Sequence, residues 1–434
     1  MNPESPTESD HDASALHQAL VDRLKEAGLI ESPRIEEAFR AVPRHLFLPG
    51  VPPDQVYRDD AIVTKKQGER PVSSSSQPAV MAIMLEQLGL APGHHVLEIG
   101  AGTGYNAALM AHLVGEAGKV TTVDLDEDIV EGAREHLAAA GFGRVEVICG
   151  DGGYGHPVSA PYDRLMVTAG TSEITPAWRE QLQVGGRLVL PLAIMPGGGQ
   201  QLVAFERSDD CLVSASIKNG GFMPLRGAFP GVHPSEGRRV ELGPEPGLVL
   251  HLKENDPRVV DPAAIYQLLT GPSRDLPTGV QVTTHELAAR YSKWSALSEP
   301  EPDYRGLGCG LGAQGELADR GLVPPLFGLA GKFSSTGGLL KEGSLAVYAR
   351  PTGHTLPPEW PKDEPPFELF VQSYGPDDSL AAYLIERLRH WDAAGRPPDE
   401  ERWRIRAYPR ETAYTASADE IIIERQFTRL VIAW

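Results

Sequence analysis

The chain has 434 residues, 41% of them hydrophobic and 23% charged, with a formal net charge of −19. That length and apolar content allow substantial cores and division into two or three domains. The negative balance repels a phosphate backbone, and only Arg23 to Lys25 and Lys65-Lys66 interrupt it, so no nucleic-acid partner is expected.

No apolar run approaches about 18 residues, and Met1 to Ala13 is acidic and polar, so neither membrane spanning nor secretion is expected. Cys149, Cys211 and Cys309 are far apart and without metal-ligand spacing, which leaves no disulfide framework and no metal site. A cytosolic location fits these features.

Residues 1–13 read as a disordered tail. A helix is expected from Ser14, with Leu16, Leu20, Val21 and Leu24 on one face. A second follows Ser32-Pro33, where Ser caps and Pro occupies the first helical position. Pro78 to Leu90 repeats apolar residues at helical spacing, so Ser73 to Gln77 lies at a helix N-terminus, where unpaired N–H groups suit a carboxylate. Strand and helix then alternate. Strands are expected at Val96–Ile99, Val120–Val123, Val145–Ile148, Arg164–Thr168, Leu188–Leu192, Gln201–Arg207 and Cys211–Lys218, and helices at Ala107–Val114 and Ile129–Ala140. The pattern predicts an α/β fold with a doubly wound, mostly parallel sheet, its ligands lying beyond the strands' carboxyl ends.

Beyond Gly227 the composition shifts. Residues 14–230 read as one domain and 231–350 as an extension, mixing short helical patterns with glycine-rich stretches such as Gly306 to Gly315. The proline-rich 351–366 reads as a linker, and 367–434 as a small α/β module in β-α-β-β-β order. Trp391, Trp403 and Trp434 read as core residues, and His94-His95 as a solvated turn.

The chemistry concentrates where the apolar strand Val96 to Ile99 runs into Gly100, Gly102, Thr103 and Gly104. Without Cβ atoms these glycines let the backbone turn off the strand and approach a ligand. The next two strands end in Asp124, followed by Leu125, and in Asp151-Gly152. Gly102-x-Gly104-x-x-Ala107 with Asp124 also satisfies the dinucleotide fingerprint, which keeps a nicotinamide cofactor as an alternative. An acid at Glu98 suits an amino group better than a pyrophosphate. S-adenosylmethionine, with an amino acid end, two ribose hydroxyls and an adenine amine, matches the row of acids. On that reading Asp124 accepts from the ribose and Asp151 from the adenine amine, while Glu98 either meets the amino group or braces the loop.

Five separated stretches then resemble the protein-L-isoaspartate (D-aspartate) O-methyltransferase family. They are Pro33 to Pro49 with Tyr57-Arg58-Asp59, Ser74-Ser75-Ser76-Gln77-Pro78, Ala160 to Ala169, Gly185 to Pro191, and Phe222 to Leu225. The resemblance implies a Rossmann-like class I methyltransferase fold that uses S-adenosyl-L-methionine. It also implies Ser76, assisted by Ser75 or Ser74, as the hydrogen-bond donor to an acceptor carboxylate, with Asp59, Gln77 and Ala169 on the substrate side. Thr168 joins Gly100 to Gly104, Asp124, Leu125, Asp151 and Gly152 around the cofactor. Structural roles compete at several of these positions: a polar loop for the serines, a fixed loop for Asp59, and a buried strand end for Thr168 and Ala169.

Two departures qualify the resemblance. The stretch from Ala61 to Ser76 is longer than the family's usual loop, and about two hundred residues follow Leu225. The second feature looks like the branch associated with ribosomally made peptides, namely lanthipeptides, lasso peptides and graspetides. The leading expectation is therefore a carboxyl methyltransferase acting on an aspartate of a modified precursor peptide, leading to aspartimide and in some cases on to isoaspartate. Isoaspartyl protein repair is the alternative within the same class, and a non-catalytic peptide-binding module the alternative outside it. Oligomeric state is not legible in the sequence.

Overall fold

The computed structural model describes residues 8–194, 199–229, 238–244, 246–253, 256–298, 300–351, 353–359, 364–397, 403–417 and 420–433. Helix α1 (Glu8–Glu26) starts ahead of Ser14, so part of the expected tail is helical; residues 1–7 lie outside the described ones. Leu20, Val21 and Leu24 bury the expected face of α1. Helix α2 (Pro33–Ala41) opens on Pro33 as expected, burying Ile35, Ala38 and Phe39. The short helix α3 (Pro53–Val56) leads into an antiparallel hairpin, β1 (Ile62–Gln67) and β2 (Arg70–Ser75). The hairpin turns at Gly68, whose φ of 60° favours glycine. The stretch read as a lengthened loop is thus an ordered hairpin whose second strand carries Ser73 to Ser75.

Helix α4 (Pro78–Leu88) follows directly. Its C-terminal end is wrapped by three guanidinium groups. Arg187 donates to Gln87 O (2.9 Å), Arg164 to Leu88 O (2.9 Å) and Arg34 to Leu90 O (2.9 Å), placing positive charge where the helix dipole is negative.

The alternation then proceeds through β3 (His95–Ile99), α5 (Tyr105–Val114), β4 (Lys119–Asp124), α6 (Glu127–Ala139), β5 (Glu146–Cys149), β6 (Tyr162–Val167), α7 (Pro176–Gln181) and β7 (Leu182–Ala193). The hairpin β8 (Gln200–Arg207) and β9 (Leu212–Asn219) follows. Strand β3 pairs in parallel with β4 on one side and β6 on the other, while β7, β8 and β9 pair antiparallel. Ile99 stands opposite both Val123 and Val167, and Asp124 opposite Cys149. The ends of β3, β4, β5 and β6 are therefore level, with the topological switch at β3. That is the crevice where open α/β sheets bind ligands.

A second unit has its own antiparallel sheet. Its strands are β10 (Arg238–Glu241), β11 (Leu248–Leu252), β12 (Ser273–Val282), β13 (Gly308–Gln314), β14 (Phe327–Leu329), β15 (Phe333–Lys341), β16 (Ser344–Ala349) and β17 (Phe367–Tyr374). They run in the order β10-β11-β13-β15-β16-β17-β12, with β14 on β15. Alternate residues of β16 serve two cores. Ala346 and Tyr348 face the helix Ser379–Ala393 side with buried Trp391, and Leu345 and Val347 face the helix Pro262–Thr270 side. The glycine-rich stretch near 306–315 is largely strand β13.

The chain then returns to the first sheet. Strands β18 (Arg404–Pro409), β19 (Ile421–Glu424) and β20 (Thr428–Ala433) extend it to β19-β20-β18-β9-β8-β7-β6-β3-β4-β5. The span expected as one module, 367–434, is consequently divided: β17 and its helix belong to the second sheet, and β18–β20 to the first. Burial of Ile405, Ala407, Leu430, Val431 and Ile432 drives the return. The described parts of 351–366 carry no helix or strand. Trp403 is buried, and Trp434 lies outside the described residues. Among the described residues no helix is long and apolar enough to cross a membrane.

Candidate active site

At the end of β3 the backbone takes φ values of 102°, 52° and 86° at Gly100, Gly102 and Gly104, a conformation that side chains resist. A Cβ at Gly100 would lie 2.3 Å from Thr168 Oγ1. The Thr168 hydroxyl sits 3.0 Å from Ile99 O and 2.9 Å from Gly100 O, so its visible role is to hold the loop to the end of β6. Thr103 is buried, and its carbonyl lies 3.1 Å from His136 Nδ1.

Asp124 accepts from Gly102 N at 3.1 Å. Burial raises its pKa, opposed by hydrogen bonds from the Gly102, Asp126 and Leu125 backbone. An ionised carboxylate has about four lone-pair sites, which leaves acceptor capacity for a diol. Leu125 beside it is 38% exposed, so its side chain is accessible at the strand end. Asp151 accepts from Gly153 N (2.9 Å) and from Ala228 N (2.6 Å). A Cβ at Gly227 would come within 2.5 Å of Asp151 Oδ2, which ties the Phe222 to Phe229 segment to this strand end. Phe229 lies against Gly153 and between the rings of Tyr154 and Phe427, at 5.2 and 5.4 Å. Gly152 is buried, and its carbonyl accepts from Trp178 Nε1 at 2.8 Å.

Glu98 is engaged inside the protein. It is fully buried; Oε1 accepts from Asn106 Nδ2 (2.7 Å) and Oε2 from Thr122 Oγ1 (2.6 Å). Its partners lie on α5 and β4, so it ties β3 to the start of that helix and to the neighbouring strand. Burial pushes its pKa up to about 7, against those two hydrogen bonds and helped by the Asp124 charge. Asn106 Oδ1, by contrast, is buried without a partner. A buried acceptor beside the glycine loop, together with the left-handed glycines and the spare acceptor capacity of Asp124, fits an adenosine bearing an amino acid end.

The serine motif holds a correction. The N-terminus of α4, expected to attract a substrate carboxylate, is taken by the protein's own Asp59. Its Oδ1 accepts from Ala79 N (2.8 Å) and its Oδ2 from Gln77 Nε2 (3.0 Å). Asp59 and Gln77 therefore fix the junction between β2 and α4. Ser75 is also committed, with its buried hydroxyl 3.3 and 3.4 Å from the Arg44 guanidinium. Ser74 pairs with Val63 in the hairpin, and its carbonyl lies 3.4 Å from where a Cβ on Gly102 would stand. Ser76 is half-buried at the junction. The Ser74–Pro78 motif and the glycine loop are thus neighbours, with no room to spare for a side chain at Gly102. Ala169 is half-buried just past Thr168, and the adjacent Gly170 pairs with the Phe222 to Leu225 stretch through Met223 O and Leu225 N, both at 2.7 Å.

Two groups escaped sequence reasoning. Arg44 is completely buried beneath the serines; it was legible only as a letter of a motif, because nothing local announces a buried guanidinium. Asp126 bridges Lys65 of the hairpin (2.7 Å) and Arg226 (2.9 Å), joining three distant stretches next to Asp124. Among the described residues no cluster of His, Cys, Asp and Glu could hold a metal ion.

A family model described as Protein-L-isoaspartate(D-aspartate) O-methyltransferase matches residues 15–228. The chain is 40% identical over 212 residues to the protein-L-isoaspartate O-methyltransferase of Methanopyrus kandleri, a match that covers 48% of this chain and 91% of that one. It is 41% identical over 191 residues to the enzyme of that name from Thermotoga maritima, covering 44% of this chain and 59% of the relative. A solved protein-L-isoaspartate O-methyltransferase structure is 24% identical and covers 95% of this chain and 98% of its own, with a TM-score of 0.48.

Proposed function

The chain belongs to the protein-L-isoaspartate(D-aspartate) O-methyltransferase family, a carboxyl methyltransferase family dependent on S-adenosylmethionine, and on that premise we propose that its acceptor is an isoaspartyl carboxylate in proteins. The observation that carries this reading is the placing of the Ser74–Pro78 motif beside the glycine loop, so close that a Cβ added at Gly102 would stand 3.4 Å from Ser74 O. The relatives' names favour isoaspartate over the normal aspartate of a modified peptide, which the sequence pattern put first. The long extension does not argue against this, because the match covers only 59% of the Thermotoga relative as well.

When bound, S-adenosylmethionine supplies an electrophilic methyl group. Asp124 and Asp151 would hold its ribose and adenine, and the glycine loop would hold its amino acid end. A carboxylate has a pKa near 4 and is already a nucleophile at neutral pH, so no general base is needed. The work of the chain is orientation and exclusion of water. Ser76 donates to one carboxylate oxygen, and the hairpin shields the reacting pair. Attack of the following backbone nitrogen on the ester then expels methanol and closes a succinimide.

A second reading, an aspartate of a modified precursor peptide, rests on the large second unit, which lies outside the family match. Incubation with labelled methyl donor and three peptides of one sequence tests both: linear isoaspartyl, linear aspartyl and cyclised aspartyl. Methylation of the isoaspartyl peptide is expected. Labelling confined to the cyclised aspartyl peptide would replace the first reading by the second, and labelling of none would overturn both.

A further inference from the structure

The α4 N-terminus is already neutralised by Asp59, so the positive potential for an incoming carboxylate has to come from elsewhere. Arg44 is the candidate. It is 0% exposed, and each of its hydrogen bonds among the described residues ends on a neutral oxygen. Nη1 donates to Val56 O (2.8 Å) and Arg58 O (3.4 Å), and Nη2 to Asp60 O (3.2 Å), Ser75 O (3.3 Å), Ser75 Oγ (3.3 Å) and Ser76 O (2.9 Å), with Nε on Ser75 Oγ (3.4 Å). An arginine stays protonated at any physiological pH. Burying its charge without a carboxylate bonded to it is expensive. Asp59 and Asp60 act on the charge without a carboxylate hydrogen bond to it, and Asp59 spends both oxygens on α4 and Gln77.

We propose that Arg44 is a positioning residue for the acceptor. Its fork sets the Ser75–Ser76 backbone, and its charge, which no carboxylate bonds directly, attracts a carboxylate to the Ser76 hydroxyl. The inference deepens the proposed function and rests on it. It assigns to one buried side chain the preference for an ionised acceptor over a neutral one of the same shape. A purely structural staple would hold the same carbonyls without creating that preference.

The test compares two isoaspartyl peptides, one with the free acceptor carboxylate and one with that group as a carboxamide. Their binding to the full-length protein is measured by calorimetry with S-adenosylhomocysteine present. The wild type is expected to favour the acid peptide at least tenfold. Arg44→Met should reduce the ratio below threefold with the S-adenosylhomocysteine Kd unchanged. Arg44→Lys, which keeps charge but not the fork, should retain part of the preference while raising KM more than it lowers kcat. A wild-type ratio near one overturns the proposal, as does an Arg44→Met ratio equal to wild type. Should the Met variant fail to fold, the wild-type ratio and the Lys variant decide. Wild-type protein that prefers the acid peptide but transfers no methyl group would strike the proposed function and not this inference.

Discussion

Replacing Glu98 by Gln isolates one buried charge. The carboxyl is fully buried and hydrogen-bonded by Asn106 and Thr122 at 2.7 and 2.6 Å. Its pKa stands at about 7 against an ordinary value of 4.5. Each tenfold change in proton affinity corresponds to about 1.4 kcal/mol, so full ionisation opposes folding by about 3 kcal/mol. The sign follows from proton counting. Below pH about 4.5 the group is protonated in both states and nothing is lost. As pH rises toward 7 the unfolded chain releases its proton first, and stability falls. A Gln at this position can still accept from Asn106 and donate to Thr122 Oγ1, without the charge. Relative to wild type, Glu98→Gln should therefore gain about 2–3 kcal/mol between pH 5 and pH 8. For a unit of this size that is a differential shift of roughly 5–10 °C in Tm. Thermal scans of both proteins across that range make the measurement. A stability difference that stays constant from pH 5 to pH 8 would refute the reasoning, because burial would then not be suppressing ionisation.

Asp59→Ala removes the cap on Ala79 N and frees Gln77. It should lower stability by about 1–2 kcal/mol in a denaturant titration and reduce methyl transfer through loss of order at Ser76. Asp124→Asn should weaken S-adenosylhomocysteine binding at least tenfold by calorimetry while leaving the unfolding midpoint nearly unmoved. A chain ended at Trp403 loses Ile405, Leu430, Val431 and Ile432 from the core. At about 1.5–3 kcal/mol for each buried aliphatic side chain, and with the edge of β9 uncovered, it should aggregate on size-exclusion chromatography. Lys65→Ala breaks the bonds to Asp126 and Asp128, both with partly exposed partners, and should cost under about 1 kcal/mol.

The alternating strands, the glycine turn and the acids at the ends of β4 and β5 were legible because each depends on local pattern. Short continuous apolar runs, left-handed glycines and strand-end residues report their own conformation along a few consecutive positions. The serine motif was likewise legible as a position, though not as a set of partners. The tertiary structure decided which polar groups meet. It put Asp59 on α4 where a substrate had been expected, closed both oxygens of Glu98, and buried Arg44 under Ser75 and Ser76. It also sent β18–β20 back to β9, about two hundred residues away in sequence. A side chain's neighbours across such separations depend on how the sheets and helices pack, and hydrophobic spacing within one segment carries no information about them.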